Sequence, residues 1–242
     1  MIRFNHVSHS GFGTGVVLRN ISFHISRDQP GAIIGPVGAG QDLIIRMCLL
    51  EEEPQEGKII LDGRDTRDFR SSDVQRLRRT TGIVSKALPL LHDRSVLENV
   101  TLALEIRGWS RRRAIRRALK ALESAGALAI KGAYPDAIPS EDHTLVALAR
   151  AIAAGPRLLL AQYALDSLPS EKGARFLAAL RDMAALGATV MLLESNVEPT
   201  DLPGWRVYSL NAGTIEKVES IAPSDQLDRR SSLVDRLIQS TN

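Results

Sequence analysis

The sequence predicts an α/β fold with a doubly wound parallel sheet, an antiparallel sheet near the N-terminus and a mostly helical section in the middle. Short apolar runs typical of buried parallel strands stand at Gly82–Val84, Leu158–Ala161 and Ala188–Leu193, each preceded by a helical pattern. Alternating apolar and polar residues at Ile2–Val7 and Ile21–Ile25 are typical of antiparallel strands. A chain of 242 residues, 44% of them hydrophobic, is long enough to bury the core of such a domain.

Composition narrows the classes of function. The net charge of +3 is small, the basic residues are spread along the chain and aromatic residues make up 4%, so we expect no nucleic-acid partner. Cys48 is the chain's one cysteine, which excludes a disulfide within the chain, and the five histidines show no ligand spacing, so we expect no metal site. No apolar run reaches the length of a membrane span, and the N-terminus reads as a strand and not as a signal peptide.

The first elements lead into a glycine-rich loop. A short buried strand, Gly31–Ile34, precedes the loop, and a helix is predicted over Leu43–Leu50. The loop has the glycine spacing of a P-loop, but Gln41 replaces the lysine and Asp42 replaces the serine or threonine of that motif. The candidate nucleotide-binding residues, all in degenerate form, are Phe12, Gly35, Pro36, Val37, Gly38, Ala39, Gly40, Gln41 and Asp42.

The electrostatics of this loop oppose ATP. Loss of the lysine removes a charge-assisted hydrogen bond worth about 1.5–3 kcal/mol. A carboxylate at Asp42, about 4 Å from a phosphate, costs about 4 kcal/mol at an effective dielectric of 20. The backbone N–H groups and the helix N-terminus would still attract an anion. Three alternatives follow: a purely structural loop, weak nucleotide binding, or ordinary ATP binding.

The remaining elements include two helices of special interest. After a strand at Lys58–Leu61, residues from about Val96 to Pro156 are mostly helical. Within them Trp109–Leu122 forms a basic amphipathic helix, with Ser110 as its N-cap and Ile115, Leu119 and Leu122 on its apolar face. Its arginines either form a solvated face or are attracted to anionic lipid headgroups; they are Arg112, Arg113, Arg116 and Arg117.

A second amphipathic helix is predicted over Asp225–Ile238, beyond the core. It either packs on its own domain or forms a self-association surface.

These elements in this order resemble the ATP-binding subunit of ABC transporters over nearly the whole chain. The resemblance is carried by Met1–Ser8, Gly57–Gly63, Leu77–Val84, Asp93–Val100 and Ala149–Ala161, and looks closest to the branch with the cell-division ATPase FtsE and the lipoprotein-export ATPase LolD. It implies a P-loop NTPase-type nucleotide-binding domain with a RecA-like parallel-sheet core, an N-terminal antiparallel β-subdomain and an inserted α-helical subdomain. The domain would cover residues 1–219, with the helical subdomain at about 96–156 and a C-terminal helical extension at 220–242.

The resemblance also locates the family's functional positions, and each departs from the family pattern. The Q-loop glutamine falls at Lys86, the signature glycines at Ser140 and Glu141, the Walker B aspartate at Gln162, the general base at Tyr163 and the switch histidine at Ser195. A tyrosine cannot act as a base near neutral pH. Phe12 lies near the position where the family stacks an aromatic ring on adenine, with loop packing as the alternative. We therefore expect no catalytic residues.

The resemblance implies a catalytically degenerate ABC-type subunit, a pseudo-ATPase, with a structural or regulatory role in a membrane complex. The alternatives are a weakly active or partner-completed ATPase that drives transport, and a soluble interaction scaffold without a permease. The implied partners are a permease, docked through the groove near the Q-loop, and a second copy or another ABC ATPase subunit. We expect no cofactor, with weak binding of ATP and Mg²⁺ as the alternative, and a cytoplasmic location at the inner membrane through a partner.

Overall fold

The computed structural model describes residues 1–10, 17–85 and 89–223. These residues form two compact units, the first from the described parts of 1–74 and 181–223, and the second from those of 75–180. The strands are β1 (Ile2–Ser10), β2 (Val17–Ile25), β3 (Gly31–Ile34), β4 (Glu56–Leu61), β5 (Arg64–Asp65), β6 (Thr81–Ser85), β7 (Leu158–Gln162), β8 (Thr189–Glu194), β9 (Arg206–Asn211) and β10 (Thr214–Ser220). The α-helices are α1 (Gln41–Cys48), α2 (Ser71–Thr80), α3 (Val96–Glu105), α4 (Arg111–Ala125), α5 (Ser140–Ala153) and α6 (Ser170–Ala185).

The first unit contains an antiparallel sheet in the order β2-β1-β4-β5. Strands β1 and β2 bury alternate side chains on either side of an irregularity in their register. Phe4 and Phe23 face each other across these strands with ring centroids 4.4 Å apart. The same unit contains β3 between the parallel strands β8 and β9, with β10 antiparallel to β9. Both predicted kinds of strand are thus confirmed, with bounds that differ by a few residues.

The helix after β3 begins and ends two residues earlier than predicted. It starts at Gln41 and ends at Cys48, and Leu50 has a left-handed φ of 55°. A helix cannot continue through that conformation, so the apolar run Leu49–Leu50 belongs to the turn that follows.

The second unit pairs β6 with β7 in parallel, with Ser85 level with Gln162. Helices α3, α4 and α5 pack together in this unit. The structure corrects the predicted apolar face of α4, since Ile115 and Leu119 are only half-buried. The buried stripe consists mainly of alanines, namely Ala114, Ala118, Ala121, Leu122 and Ala125, because small side chains let neighbouring helices approach closely.

Ser110 is the N-cap residue of α4, as predicted, although its side chain makes no capping hydrogen bond. The predicted helix at Asp225–Ile238 lies outside the described residues. No α-helix within the described ranges has the length and apolar character needed to cross a membrane.

Candidate functional site

The loop between β3 and α1 follows a path that requires glycine. Gly35 donates its N–H to the carbonyl of Glu194 at 3.1 Å, and a Cβ at Gly35 would lie 1.8 Å from the carbonyl oxygen of Leu210. Gly40 has a φ of 125°, where L-residues are strained, and a Cβ there would lie 2.5 Å from Leu18. The backbone geometry of the glycine-rich loop is therefore fixed by its surroundings.

Gln41 closes this loop with its own side chain. The residue is fully buried, and its Nε2 donates a hydrogen bond to the carbonyl oxygen of Gly35 at 2.6 Å. Its Oε1 is buried and has no hydrogen-bond partner among the described residues. The position that carries a cation in a working P-loop thus holds a neutral amide that is directed onto the backbone of its own loop.

Val37 in the loop and Asp42 at the start of α1 are exposed to solvent. Val37 at the tip is 74% exposed, and Asp42 is an exposed acid in the first turn of α1. A carboxylate in that turn stabilises the helix through its dipole, but it repels an approaching anion. Ser195, the predicted switch position, follows β8 in the same unit and is half-buried.

In the second unit, β7 ends at the predicted Walker B position. Gln162 is buried, and Tyr163 follows with a left-handed φ of 47°. A bulky residue with positive φ is uncommon and is held in place only by its surroundings. Neither residue carries a carboxylate, so this strand end offers neither an anionic magnesium ligand nor a base for water near neutral pH.

The predicted signature position lies at the N-terminus of α5. The helix begins at Ser140, and Glu141 and Asp142 occupy its first turn. Lys172 of α6 places its Nζ 2.5 Å from Asp142 Oδ1 and 3.6 Å from Glu141 Oε1. Its hydrogen bond to Asp142 raises the pKa of the Lys172 ammonium. The two acids are therefore paired with a cation 30 residues along the chain from Asp142.

A pocket of about 290 Å³ lies beside this helix, with apolar walls and several hydroxyl groups. It is lined by Val84, Ser85, Pro89, Leu90, Ser140, His143, Thr144, Ala147, Ala164 and Ser167. His143 is fixed at its rim by a 2.8 Å hydrogen bond between its Nε2 and the carbonyl of Pro135.

One buried amide holds the segment that leads from this pocket to α3. Asn99 Oδ1 accepts the N–H of Leu91 at 2.7 Å. Asn99 Nδ2 donates to the carbonyls of Leu91, Arg94 and Ser95 at 3.0–3.1 Å. Ser95 in turn forms a capping box with Glu98 at the start of α3.

Two arginines bind the C-terminal end of α5, a role that sequence reasoning missed. Arg117 Nε donates to the carbonyl of Ala153 at 3.0 Å, and Arg107 Nη1 donates to the carbonyl of Ala154 at 2.8 Å. Burial lowers the pKa of the Arg117 guanidinium. Arg117 therefore does not belong to the outward-facing basic cluster in which the sequence placed it. No local sequence signal distinguishes it from Arg116, because the α5 carbonyls are about 36 residues away.

The predicted site residues divide between the two units. Gly35 to Asp42 and Ser195 lie in the first unit, whereas Ser140, Glu141, Gln162 and Tyr163 lie in the second. Phe12 and Lys86 lie outside the described residues.

Comparison with known proteins gives relatives over most of the chain. The family described as ABC transporter matches residues 18–162. The methionine import ATP-binding protein MetN of Rhizobium johnstonii is 35% identical over 205 residues, 84% of this chain and 57% of that protein. MetN 3 of Pseudomonas fluorescens is 31% identical over 229 residues, 94% of this chain and 70% of that protein. The chain thus spans little more than half of the Rhizobium relative's length.

Solved structures share the fold. The dimeric structure of MJ0796, a bacterial ABC transporter cassette, has a TM-score of 0.80 at 24% identity and covers 93% of this chain and 100% of that one. CbiO1 from Clostridium perfringens, part of the ABC transporter complex cbiONQ, has a TM-score of 0.78 at 16% identity and covers 99% of this chain and 95% of that one. These matches confirm the predicted fold class. The relatives are named for methionine import, which does not support the predicted closeness to the FtsE and LolD branch.

Proposed function

The chain belongs to the ABC transporter family, and we propose that it is an ATP-binding-cassette subunit that has lost ATP turnover and serves a membrane transporter complex in a structural or regulatory role. The observation that carries the proposal is the 2.6 Å hydrogen bond from Gln41 Nε2 to the carbonyl oxygen of Gly35, which places a neutral amide where the family's P-loop has its lysine.

The loop residues do not fit the magnesium-bound ATP that the family uses. The loop keeps its glycines and its backbone N–H groups. However, Gln41 supplies no positive charge, and its buried Oε1 is a hydrogen-bond acceptor, whereas an anion needs a donor. Asp42 adds a negative charge in the first turn of α1. Together these losses amount to several kcal/mol, which lowers affinity on the order of a thousandfold.

The end of β7 gives an independent reason to expect no hydrolysis of ATP. Gln162 and Tyr163 replace the two carboxylates that the family uses to order magnesium and to activate water. Loss of the general base alone costs about 10²–10⁴ in rate. Ser140 and Glu141 stand where the resemblance places the signature glycines, so this helix N-terminus does not present the glycine backbone that the family offers to a partner's nucleotide. Glu141 is also paired with Lys172.

The proposed partner is a permease, which would bring the chain to the inner face of a cytoplasmic membrane. In support, the second unit has a pocket with apolar walls and, among its exposed residues, the apolar side chains of Leu91 and Tyr134. Such apolar surface suits an amphipathic segment of another protein. Since the named relatives are methionine import proteins, we propose an importer as the class of complex. A second ABC subunit, identical or different, completes it.

Titration calorimetry of the purified full chain with ATP, with and without Mg²⁺ and up to millimolar concentration, tests the proposal. A catalytically active relative serves as the positive control. We expect no heat of binding and no phosphate release above background. Micromolar binding of ATP would overturn the proposed loss of nucleotide binding.

A second candidate is a partner-completed ATPase. It is favoured by the backbone conformation of the loop at Gly35 and Gly40, which only glycine fits. Co-purification with the co-expressed permease, followed by a phosphate-release assay, separates the two. Turnover that requires this chain in the complex would favour the second candidate. An unchanged background with stable membrane association would favour the first.

A further inference from the structure

We propose that the outer face of α4, together with the exposed turn that precedes it, binds the surface of a membrane that contains anionic lipids. We define this basic face by four exposed side chains, Arg112, Arg113, Arg116 and Lys120. The proposal does not depend on whether the chain binds ATP.

The spacing of these residues places them on one side of the helix. At 100° per residue, positions 112, 113, 116 and 120 fall within a sector of about 100°, and Glu123 is the one acid that shares it. The buried stripe, from Ala114 to Ala125, is centred on the opposite side. Because that stripe packs within the second unit, the basic face is directed away from the helices that bury it.

The structure separates these residues from the neighbouring arginines that have internal roles. Arg107 and Arg117 donate hydrogen bonds to the carbonyls at the C-terminal end of α5, so their guanidinium groups have partners within the chain. Arg112, Arg113 and Arg116 are exposed residues, and a guanidinium group can bind a phosphate group bidentately.

An apolar element accompanies the charges. Ile106, at the end of α3, is 77% exposed, and Gly108 turns the chain with a φ of 81°. Trp109 follows, and the guanidinium of Arg113 lies 3.9 Å from the centroid of its ring. An exposed aliphatic residue and a tryptophan beside several arginines are typical of segments that lie in the headgroup region of a bilayer.

This combination favours a lipid surface over nucleic acid or an acidic protein. Phosphate groups of a duplex would satisfy the arginines but would leave Ile106 in water. A bilayer offers phosphates to the arginines and hydrocarbon to Ile106 in adjacent layers. Each basic residue near an anionic surface raises the partition coefficient about fivefold, and the effect weakens as salt screens it.

The test is co-sedimentation of the full chain with vesicles of phosphatidylcholine, alone or mixed with phosphatidylglycerol. We expect binding only to vesicles with phosphatidylglycerol and a steep loss of binding as salt rises. The triple variant Arg112→Glu, Arg113→Glu and Arg116→Glu should lower the partition coefficient at least about tenfold. Ile106→Ser should lower it less, without changing the charge.

A matched control reverses three exposed charges in the first unit, Arg3→Glu, Arg19→Glu and Lys58→Glu. It changes the net charge by the same amount and should keep binding within about threefold, because its residues lie off the basic face. Circular dichroism verifies that each variant is folded. If the triple variant does not fold, the double variant Arg112→Gln with Arg116→Gln replaces it, and it should also lower the partition coefficient.

Three outcomes would overturn the proposal. One is unchanged sedimentation of the α4 variant, and another is an equal loss in the control. The third is binding of duplex DNA through these arginines with no binding to phosphatidylglycerol vesicles, which would assign the face to nucleic acid.

Discussion

The side-chain Nε2 of Gln41 and the carbonyl oxygen of Gly35 lie 2.6 Å apart and join the two ends of the loop between β3 and α1. In this chain the loop is held by an internal hydrogen bond in a buried setting, where such a bond is strong and its loss is costly. This hydrogen bond thus links the two ends of the loop through the residue that replaces the lysine of the motif.

Restoring the two missing residues should restore affinity for nucleotide. The double variant Gln41→Lys and Asp42→Thr regains a charge-assisted hydrogen bond and removes a like-charge contact. We expect its ATP affinity, measured by calorimetry, to rise at least about tenfold over the wild-type chain. Hydrolysis should stay at background, because Gln162 and Tyr163 are unchanged.

The single variant Asp42→Asn is the control for charge alone and should give a smaller gain. Equal affinities for the wild-type chain and the double variant would show that something other than these two side chains limits binding.

Arg117 should contribute to stability through the end of α5. Arg117→Met keeps an apolar stem but leaves the carbonyl of Ala153 without its donor, so we expect urea unfolding to show a loss of about 1–2 kcal/mol. Arg116→Met, one residue away on the exposed face, should change stability by less than about 0.5 kcal/mol. Similar values for the two variants would contradict the capping role.

His24 should make stability depend on pH. Burial and the nearby charges of Arg3 and Arg206 lower the pKa of its imidazole, and its buried Nε2 has no hydrogen-bond partner within the described part of the chain. The unfolded chain therefore takes up a proton near pH 6.5, whereas the folded chain takes it up only at lower pH, so stability is lost as the pH falls below about 6.5.

Urea unfolding of the wild-type chain and of His24→Phe, at about pH 7.5 and about pH 5.5, measures this effect. The wild-type chain should lose more stability on acidification than the variant. Identical pH dependence of the two proteins would exclude His24 as the source.

The strands and the glycine loop could be predicted from sequence because their signals are local. An apolar run such as Leu158–Ala161 directly indicates a buried strand. The spacing of Gly35 and Gly40 indicates the backbone conformation of a P-loop. The replacement of the P-loop lysine was also visible, but the direction of the Gln41 side chain was not, since its partner is a backbone carbonyl that only the folded loop brings near.

The errors on α4 have one physical origin. Sequence reasoning ranks large apolar residues as the buried face, which selected Ile115 and Leu119, whereas close packing of helices favours alanines. The pairing of Lys172 with the acids at the start of α5 was missed for a related reason. It joins residues on two different helices, and no local pattern encodes such a contact.

Asn99 has a mechanical consequence for the segment from Leu91 to Ser95. One buried amide holds this segment at three backbone positions and lies within α3 itself. The segment is therefore tied to α3 by side-chain hydrogen bonds, and we expect the two to move together. These hydrogen bonds form within the chain, so we expect the link to be retained whether or not a nucleotide or a metal is bound.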